Sequence, residues 1–102
     1  MPYRAAYCSS KGAVDQLTRV LALEWAKYNI KVNAVAPTFV ETPFTKKMFK
    51  DSKFKKFVMD NIPLKRLATG EEVARTVSFL ASEESGSITG AIIPVDGGWT
   101  IH

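Results

Sequence analysis

Residues 14–37 read Val14-Asp15-Gln16-Leu17-Thr18-Arg19-Val20-Leu21-Ala22-Leu23-Glu24-Trp25-Ala26-Lys27-Tyr28-Asn29-Ile30-Lys31-Val32-Asn33-Ala34-Val35-Ala36-Pro37. Two patterns meet in this stretch. Val14, Leu17, Leu21, Trp25 and Tyr28 recur at helical spacing and form one apolar stripe. The helical pattern reaches back to residue 5, with no proline and with Gly12 as its only glycine. It predicts one long helix over 5–28. Val20 and Leu23 add a second apolar side, so this helix is expected to be covered by a sheet and by a second helix, which another subunit can supply. Asn29 stops it, because asparagine tolerates the left-handed conformation at a helix end. Residues 31–37 then read as a short buried strand that ends at a proline. A helix followed by a buried strand argues for an α/β chain.

Outward from this junction the pattern continues. Thr42-Pro43 starts a helix, with Thr42 as N-cap and Pro43 at the first helical position. Residues 43–60 give one broken or two short amphipathic helices, the second restarted at Asp51 or Ser52, and Ile62-Pro63 ends them. Thr69-Gly70-Glu71-Glu72 has the form of a capping box and opens a helix whose expected inward stripe is Val73, Val77 and Leu80, with Ala81 beside it. Gly86 and Gly90 bracket a loop. Residues 91–95 form the second strand, and Asp96-Gly97-Gly98 turns the chain. Pro94 cannot donate to a ladder, which puts that strand at a sheet edge or at a bulge. Two strands joined by helices make a parallel pair with a right-handed crossover. A two-stranded parallel sheet has too few neighbours to stand alone, so these residues read as the second half of something larger.

Composition narrows the function classes. The chain has 102 residues, 14 basic and 10 acidic, for a net charge of +4. Lys46, Lys47, Lys50, Lys53, Lys55 and Lys56, with Asp51, concentrate that charge between residues 46 and 56. That patch has no arginine, and Phe49, Phe54 and Phe57 fall at spacings that suit burial, so no nucleic-acid partner is expected. The lysines form a solvated face or attract an acidic substrate. No apolar run is long enough to span a bilayer, and Met1–Tyr7 lacks the apolar core of a secretory signal. One cysteine, Cys8, allows no internal disulfide, and one histidine, His102, allows no zinc cluster, so no metal is expected. Cys8 has no histidine beside it and reads as a small packed thiol. Ser9 and Ser10 read as small helix residues, and Trp25 and Trp99 as packing residues. Together these features predict a cytoplasmic protein with no membrane partner.

Tyr7 and Lys11 are the candidate pair for chemistry, although their spacing alone equally describes an ordinary helix-surface pair. Four residues apart on the long helix, they project from one face, ~6 Å apart at Cβ. An ammonium at that range favours the phenolate and draws the tyrosine pKa below its reference of ~10. A phenol so tuned is a general acid for carbonyl reduction, and its phenolate a base for alcohol oxidation.

Four motifs stand in one order: Tyr7-Cys8-Ser9-Ser10-Lys11-Gly12-Ala13, Leu21-Ala22-Leu23-Glu24-Trp25-Ala26, Val32-Asn33-Ala34-Val35-Ala36-Pro37, and Ile88-Thr89-Gly90-Ala91-Ile92-Ile93-Pro94-Val95-Asp96-Gly97-Gly98. The chain resembles the C-terminal portion of the short-chain dehydrogenase/reductase family over essentially its whole length. The resemblance implies the C-terminal part of a Rossmann-like doubly wound parallel sheet, a single partial domain over 1–102 built as long helix, strand, lid helices, helix and edge strand. Residues 43–62 would be the substrate lid. It implies an NAD(P)-dependent oxidoreductase that moves hydride between nicotinamide and a secondary alcohol or ketone, of the sugar acid and polyol dehydrogenase type or the 3-oxoacyl reductase type. Tyr7 would exchange the proton with the substrate oxygen. Lys11 would hold the nicotinamide ribose hydroxyls and lower the Tyr7 pKa. Pro37, Val40 and Thr42 match the pattern after the family's strand, Val40 offering its backbone and Thr42 its hydroxyl to the carboxamide end of NAD or NADP. Thr42 can also be an ordinary N-cap. Thr38 stands where the family usually has glycine, which stiffens the loop.

The family's glycine-rich dinucleotide loop, its catalytic serine and its upstream asparagine do not occur among these residues. Asp96-Gly97-Gly98 is no substitute for a phosphate loop, because no helix follows it. A second reading therefore stands beside the first: a catalytically incomplete fragment that retains only an oligomerisation surface. Under either reading a homo-oligomer, dimer or tetramer, is expected, with a contact over the wide apolar arc of the long helix.

Overall fold

The computed structural model describes the backbone of residues 4–101 and the side chains of residues 9–101. Helix α1 runs over Arg4–Trp25 and tightens into a 3-10 turn over Ala26–Tyr28. Asn29 ends it in the left-handed region, at φ 60° and ψ 37°, and its N–H returns to the Ala26 carbonyl. The side-chain amide expected to tolerate that conformation is the one that adopts it.

Strand β1 (Ala34–Pro37) and strand β4 (Ile92–Val95) pair in parallel, with Ala34 opposite Ile92 and Ala36 opposite Pro94. The sheet is narrower than the sequence pattern predicted, because β1 starts at Ala34 rather than at residue 31 or 32. The Asn33 side chain explains the difference. Its Nδ2 donates to the Ile88 carbonyl at 3.0 Å and its Oδ1 accepts from the Ala91 N–H at 3.0 Å. The side chain thus does at residue 33 what a ladder would do. Val32 is held in the same way, by the Thr89 hydroxyl and the Gly90 N–H.

The Ala34 N–H donates to the Ala91 carbonyl at 2.9 Å. Bonding residues alternate along a parallel ladder, so Ala34 and Ala36 face β4, and Ala91, Ile93 and Val95 face β1. Pro94 and Pro37 both fall at the intervening positions, whose polar groups point away from the partner strand. Pro94 therefore sits in register without a bulge, on a strand that pairs only with β1 among the described residues.

Between the strands lie α2 (Pro43–Met48), α3 (Ser52–Asp60) and α4 (Gly70–Ala81), each started by its own cap. Asp51 caps α3, accepting from the N–H groups of Lys53 and Phe54. Thr69 and Glu72 form the reciprocal box of α4: the Glu72 N–H donates to Thr69 Oγ1 at 3.1 Å and the Thr69 N–H to Glu72 Oε1 at 2.9 Å. A second parallel pair, absent from the sequence reading, joins β2 (Val40–Glu41) to β3 (Ala68–Thr69). Two residues per strand are too few to leave a periodicity.

Val58, Ile62, Ala68 and Thr45 are buried in the inserted segment and Asp96 after β4, while Ser85, buried beyond α4, accepts from Lys31 Nζ at 2.9 Å. An aromatic cluster seals the inserted segment. Phe39 stands 5.5 Å from Trp99, 6.2 Å from Phe54 and 6.5 Å from Phe49, and Phe57 stands 6.3 Å from Trp99, ring centre to ring centre. Trp99, read from sequence as packing, does pack here, against the loop after β1 and against α3.

The predicted stripe of α1 is not the face this chain covers. Leu17 is 57% and Leu23 81% exposed, and Val14, Val20, Trp25 and Tyr28 are exposed as well. Thr18 and Ala22 are buried instead, each 6% exposed. The narrow β1–β4 pair spans only one line of the helix, and small residues on that line let it approach closely. A Cβ at Gly90 would lie 3.5 Å from the Ala22 methyl. The stripe of α4 is corrected likewise: Val73 and Leu80 are half-buried, but Val77 is exposed.

Candidate functional site

Lys11, on α1, lines an open cleft of about 250 Å³ with Ser10, Asp15 and the β1 residues through Pro37. Lys11 itself is half-buried. The cleft borders the strand along which the chain enters the 38–42 loop, and the carboxyl ends of parallel strands are where open α/β sheets bind ligands. Tyr7 falls within α1, one turn before Lys11, but its side chain lies outside the described residues, as do those of Cys8 and His102.

Thr42 and Val40 sit further along the loop. Thr42 is the N-cap of α2, its hydroxyl accepting from the Thr45 N–H at 3.2 Å. It lines a separate cleft of about 190 Å³ with Glu41, Pro43, Lys46 and Thr69. Val40 pairs with Ala68 in the β2–β3 ladder, and its carbonyl accepts from the Thr45 hydroxyl at 2.7 Å. The structure therefore brings Lys11 and Pro37 to one cleft, and sets Val40 and Thr42 on the connected loop beyond it. Sequence reasoning missed Thr45, which bonds to both Val40 and Thr42. The visible signal was a threonine three residues after an N-cap threonine, the spacing of a capping box.

The start of the loop and the segment after α3 are each held by packing. Phe39 reaches into the aromatic cluster, and the end of β4 braces the segment that leaves α3. Gly97 and Gly98 have positive φ, and a Cβ on either would come within 3.0 Å of Ile62 or Pro63. The Leu64 N–H donates to the Gly97 carbonyl at 3.0 Å. Asp96 holds this turn: its Oδ1 accepts from the Gly98 N–H and its Oδ2 from the Thr100 N–H. Burial alone would push that carboxyl up, but hydrogen bonds from Thr100 and the Gly98 N–H outweigh it and hold the acid below the usual carboxylate range.

A larger cleft, of about 460 Å³, opens between this turn and α4 and holds none of the predicted site residues. Its ionisable lining groups are Arg66, Glu72 and Asp96. Arg66 pairs with Glu72 through two hydrogen bonds, of 2.8 and 3.1 Å, and Asp96 is bonded to backbone. All three are engaged in holding the fold, and the predicted residues Lys11 and Pro37 line the smaller cleft instead. Among the described residues no cluster of three metal-ligating side chains occurs, and no helix is long and apolar enough to cross a membrane.

A parallel α/β sheet with a lysine of the long helix beside the strand end defines a Rossmann-type architecture. The chain belongs to the short-chain dehydrogenase/reductase family: the family model described as enoyl-(acyl carrier protein) reductase matches residues 1–100. L-xylulose reductase of Bos taurus is 46% identical over 95 residues, which are 93% of this chain and 39% of that protein. A short-chain dehydrogenase family protein from Francisella tularensis subsp. tularensis SCHU S4 superposes with a TM-score of 0.82 at 40% identity, over 95% of this chain and 44% of its own. The structure of 4-hydroxyisoleucine dehydrogenase complexed with NADH does so with a TM-score of 0.90 at 32% identity, over 96% and 40%. The chain thus spans about two fifths of the length of the relatives it matches.

Proposed function

We propose that this chain supplies the proton-transfer helix and the nicotinamide loop of an NAD(P)-dependent oxidoreductase acting on a secondary alcohol or ketone. The observation that carries the reading is the placement of Lys11 in one cleft with the β1 residues that lead into the 38–42 loop. The donor set suits a nicotinamide riboside: an ammonium for ribose hydroxyls, a threonine hydroxyl and strand backbone for a carboxamide. When bound, the nicotinamide cofactor supplies a hydride to the carbonyl carbon or accepts one from the alcohol carbon. Tyr7 gives its phenolic proton to the substrate oxygen in reduction and takes it back in oxidation. Lys11, one turn further along α1, supplies the positive charge that favours the phenolate. Pro37 fixes the backbone where the chain leaves β1, Thr42 presents its hydroxyl while capping α2, and Val40 presents its backbone. Residues 43–62 act as a lid that excludes water, and its lysines draw in acidic substrates.

Resemblance to an L-xylulose reductase and, at 45% identity over 100 residues, to a 3-oxoacyl-(acyl-carrier-protein) reductase of Thermotoga maritima supports two substrate classes, polyol or sugar ketones and 3-oxoacyl chains. The exposed apolar face of α1 supports a homo-oligomer, and the lone cysteine suits a cytoplasmic location. In the full-length gene product that contains this chain, Tyr7→Phe removes the ionisable proton. The expected outcome is near-complete loss of ketone turnover, with NADH or NADPH binding and folding retained. Retention of more than about a tenth of the activity contradicts the role given to Tyr7.

A further inference from the structure

Helix α2 buries an unexpected residue. Phe44, Lys46 and Lys47 are exposed, while Thr45 between them is only 7% exposed. Apolar burial would have chosen the phenylalanine, so the reason lies in the hydroxyl. Thr45 Oγ1 accepts from the Thr42 N–H at 2.8 Å, lies 2.7 Å from the Val40 carbonyl and 2.9 Å from the Thr42 carbonyl, and stands 3.2 Å from Thr42 Oγ1. A capping box needs only the first of these contacts and the return bond from the Thr45 N–H to Thr42 Oγ1. The contact with Val40 reaches past the cap into β2.

A hydroxyl carries one proton. With the Thr42 N–H donating to it, Thr45 places its own proton on a carbonyl, the shortest contact being that of Val40. In the β2–β3 ladder the Ala68 N–H donates to the Phe39 carbonyl, so the polar groups of Val40 point away from β3, on the side where Thr45 meets them. Thr42 Oγ1, meanwhile, accepts from the Thr45 N–H, which leaves its own proton for donation. One buried hydroxyl thereby fixes the direction of both groups assigned to the carboxamide.

We propose that Thr45 is a positioning residue for the nicotinamide end of the cofactor, setting the Val40 peptide and the Thr42 hydroxyl through its side-chain hydrogen bonds. The inference rests on the cofactor reading given above. The test uses the full-length gene product, with Thr45→Val keeping the shape and Thr45→Ser keeping the hydroxyl. Dissociation constants are measured for NADH and NADPH by fluorescence, and for ADP-ribose or its 2′-phosphate, which lack nicotinamide, by competition. Thr45→Val is expected to weaken reduced-cofactor binding about tenfold, or about 1.4 kcal/mol, and to leave ADP-ribose binding within about twofold. Thr45→Ser is expected to stay close to the parent protein. The proposal is overturned if Thr45→Val leaves reduced-cofactor binding unchanged, if it weakens both ligands equally, or if Thr45→Ser is as impaired as Thr45→Val. Should the valine variant not fold, Thr45→Cys, of similar size and a weak donor, is judged by the same criteria. A parent protein that binds neither NADH nor NADPH overturns the cofactor reading itself, and that failure is visible without any variant.

Discussion

Replacing Gly97 with alanine probes the joint between the end of β4 and the chain leaving α3. Two costs act together there. Gly97 has φ +64°, and an L side chain in that region costs about 1–2 kcal/mol. The new methyl would lie 2.7 Å from Ile62 Cγ2, and Ile62 is 2% exposed, so it has no room to retreat. Overpacking of this kind adds about 1–3 kcal/mol, for a combined loss of about 2–5 kcal/mol. The measurement is a urea unfolding curve of the full-length gene product, followed by tryptophan fluorescence. Trp99, two residues further on and packed against Phe39 and Phe57, reports on the joint directly. The midpoint should fall with the slope unchanged. Gly70→Ala serves as the control, because an added methyl there meets nothing within 4 Å. It should leave stability unchanged or raise it by up to about 1 kcal/mol. A Gly97→Ala loss below about 1 kcal/mol would refute both the strain and the contact on which the estimate stands.

Two further outcomes follow from the polar ties. The Glu72 carboxyl is lowered from 4.5 to about 2, first by its hydrogen bond from Arg66 and then by the Thr69 N–H. A carboxyl with a depressed folded pKa stabilises above its unfolded value and loses that contribution as pH falls. Stability carried by α4 should therefore decline between about pH 4.5 and 2, and Glu72→Gln should flatten that part of the pH–stability curve; an unchanged curve contradicts the pairing. Asn33→Ala strands the Ile88 carbonyl and the Ala91 N–H, and should cost about 1–3 kcal/mol in denaturant unfolding, with faster hydrogen exchange at Ala91. Unchanged exchange there would count against the bridge.

What could be read in advance divides by range of interaction. Asn29, Thr42, Asp51 and Thr69 act on backbone within a few residues of themselves, and each stops or starts its element as read. The order of helices and strands followed from these local signals. Asn33 looked like a strand residue because its neighbours are apolar, yet its amide reaches residues 88 and 91, a distance no local pattern encodes. The apolar stripe of α1 was correctly seen as apolar, but within this chain alone it is Thr18 and Ala22, beside that stripe, that are covered. Periodicity reports how greasy a face is, whereas the line that touches the strands is set by how closely Thr18 and Ala22 let the backbones approach. At the candidate site, Lys11 and Pro37 line one cleft. The Thr45 bond to Val40 spans five residues across a strand-to-helix turn, and nothing in residue identity alone announces it.

The two prolines of the β1–β4 pair have a consequence for assembly. Because Pro94 spends its missing N–H on the outward side of β4, that rim offers a broken row of donors to any strand approaching it. Pro37 does the same on β1, but only at its last position, leaving the flank before it intact. Each margin thus keeps a single outward amide within its strand, Val35 on β1 and Ile92 on β4, ahead of its proline, which gives a further strand little to pair with on either side.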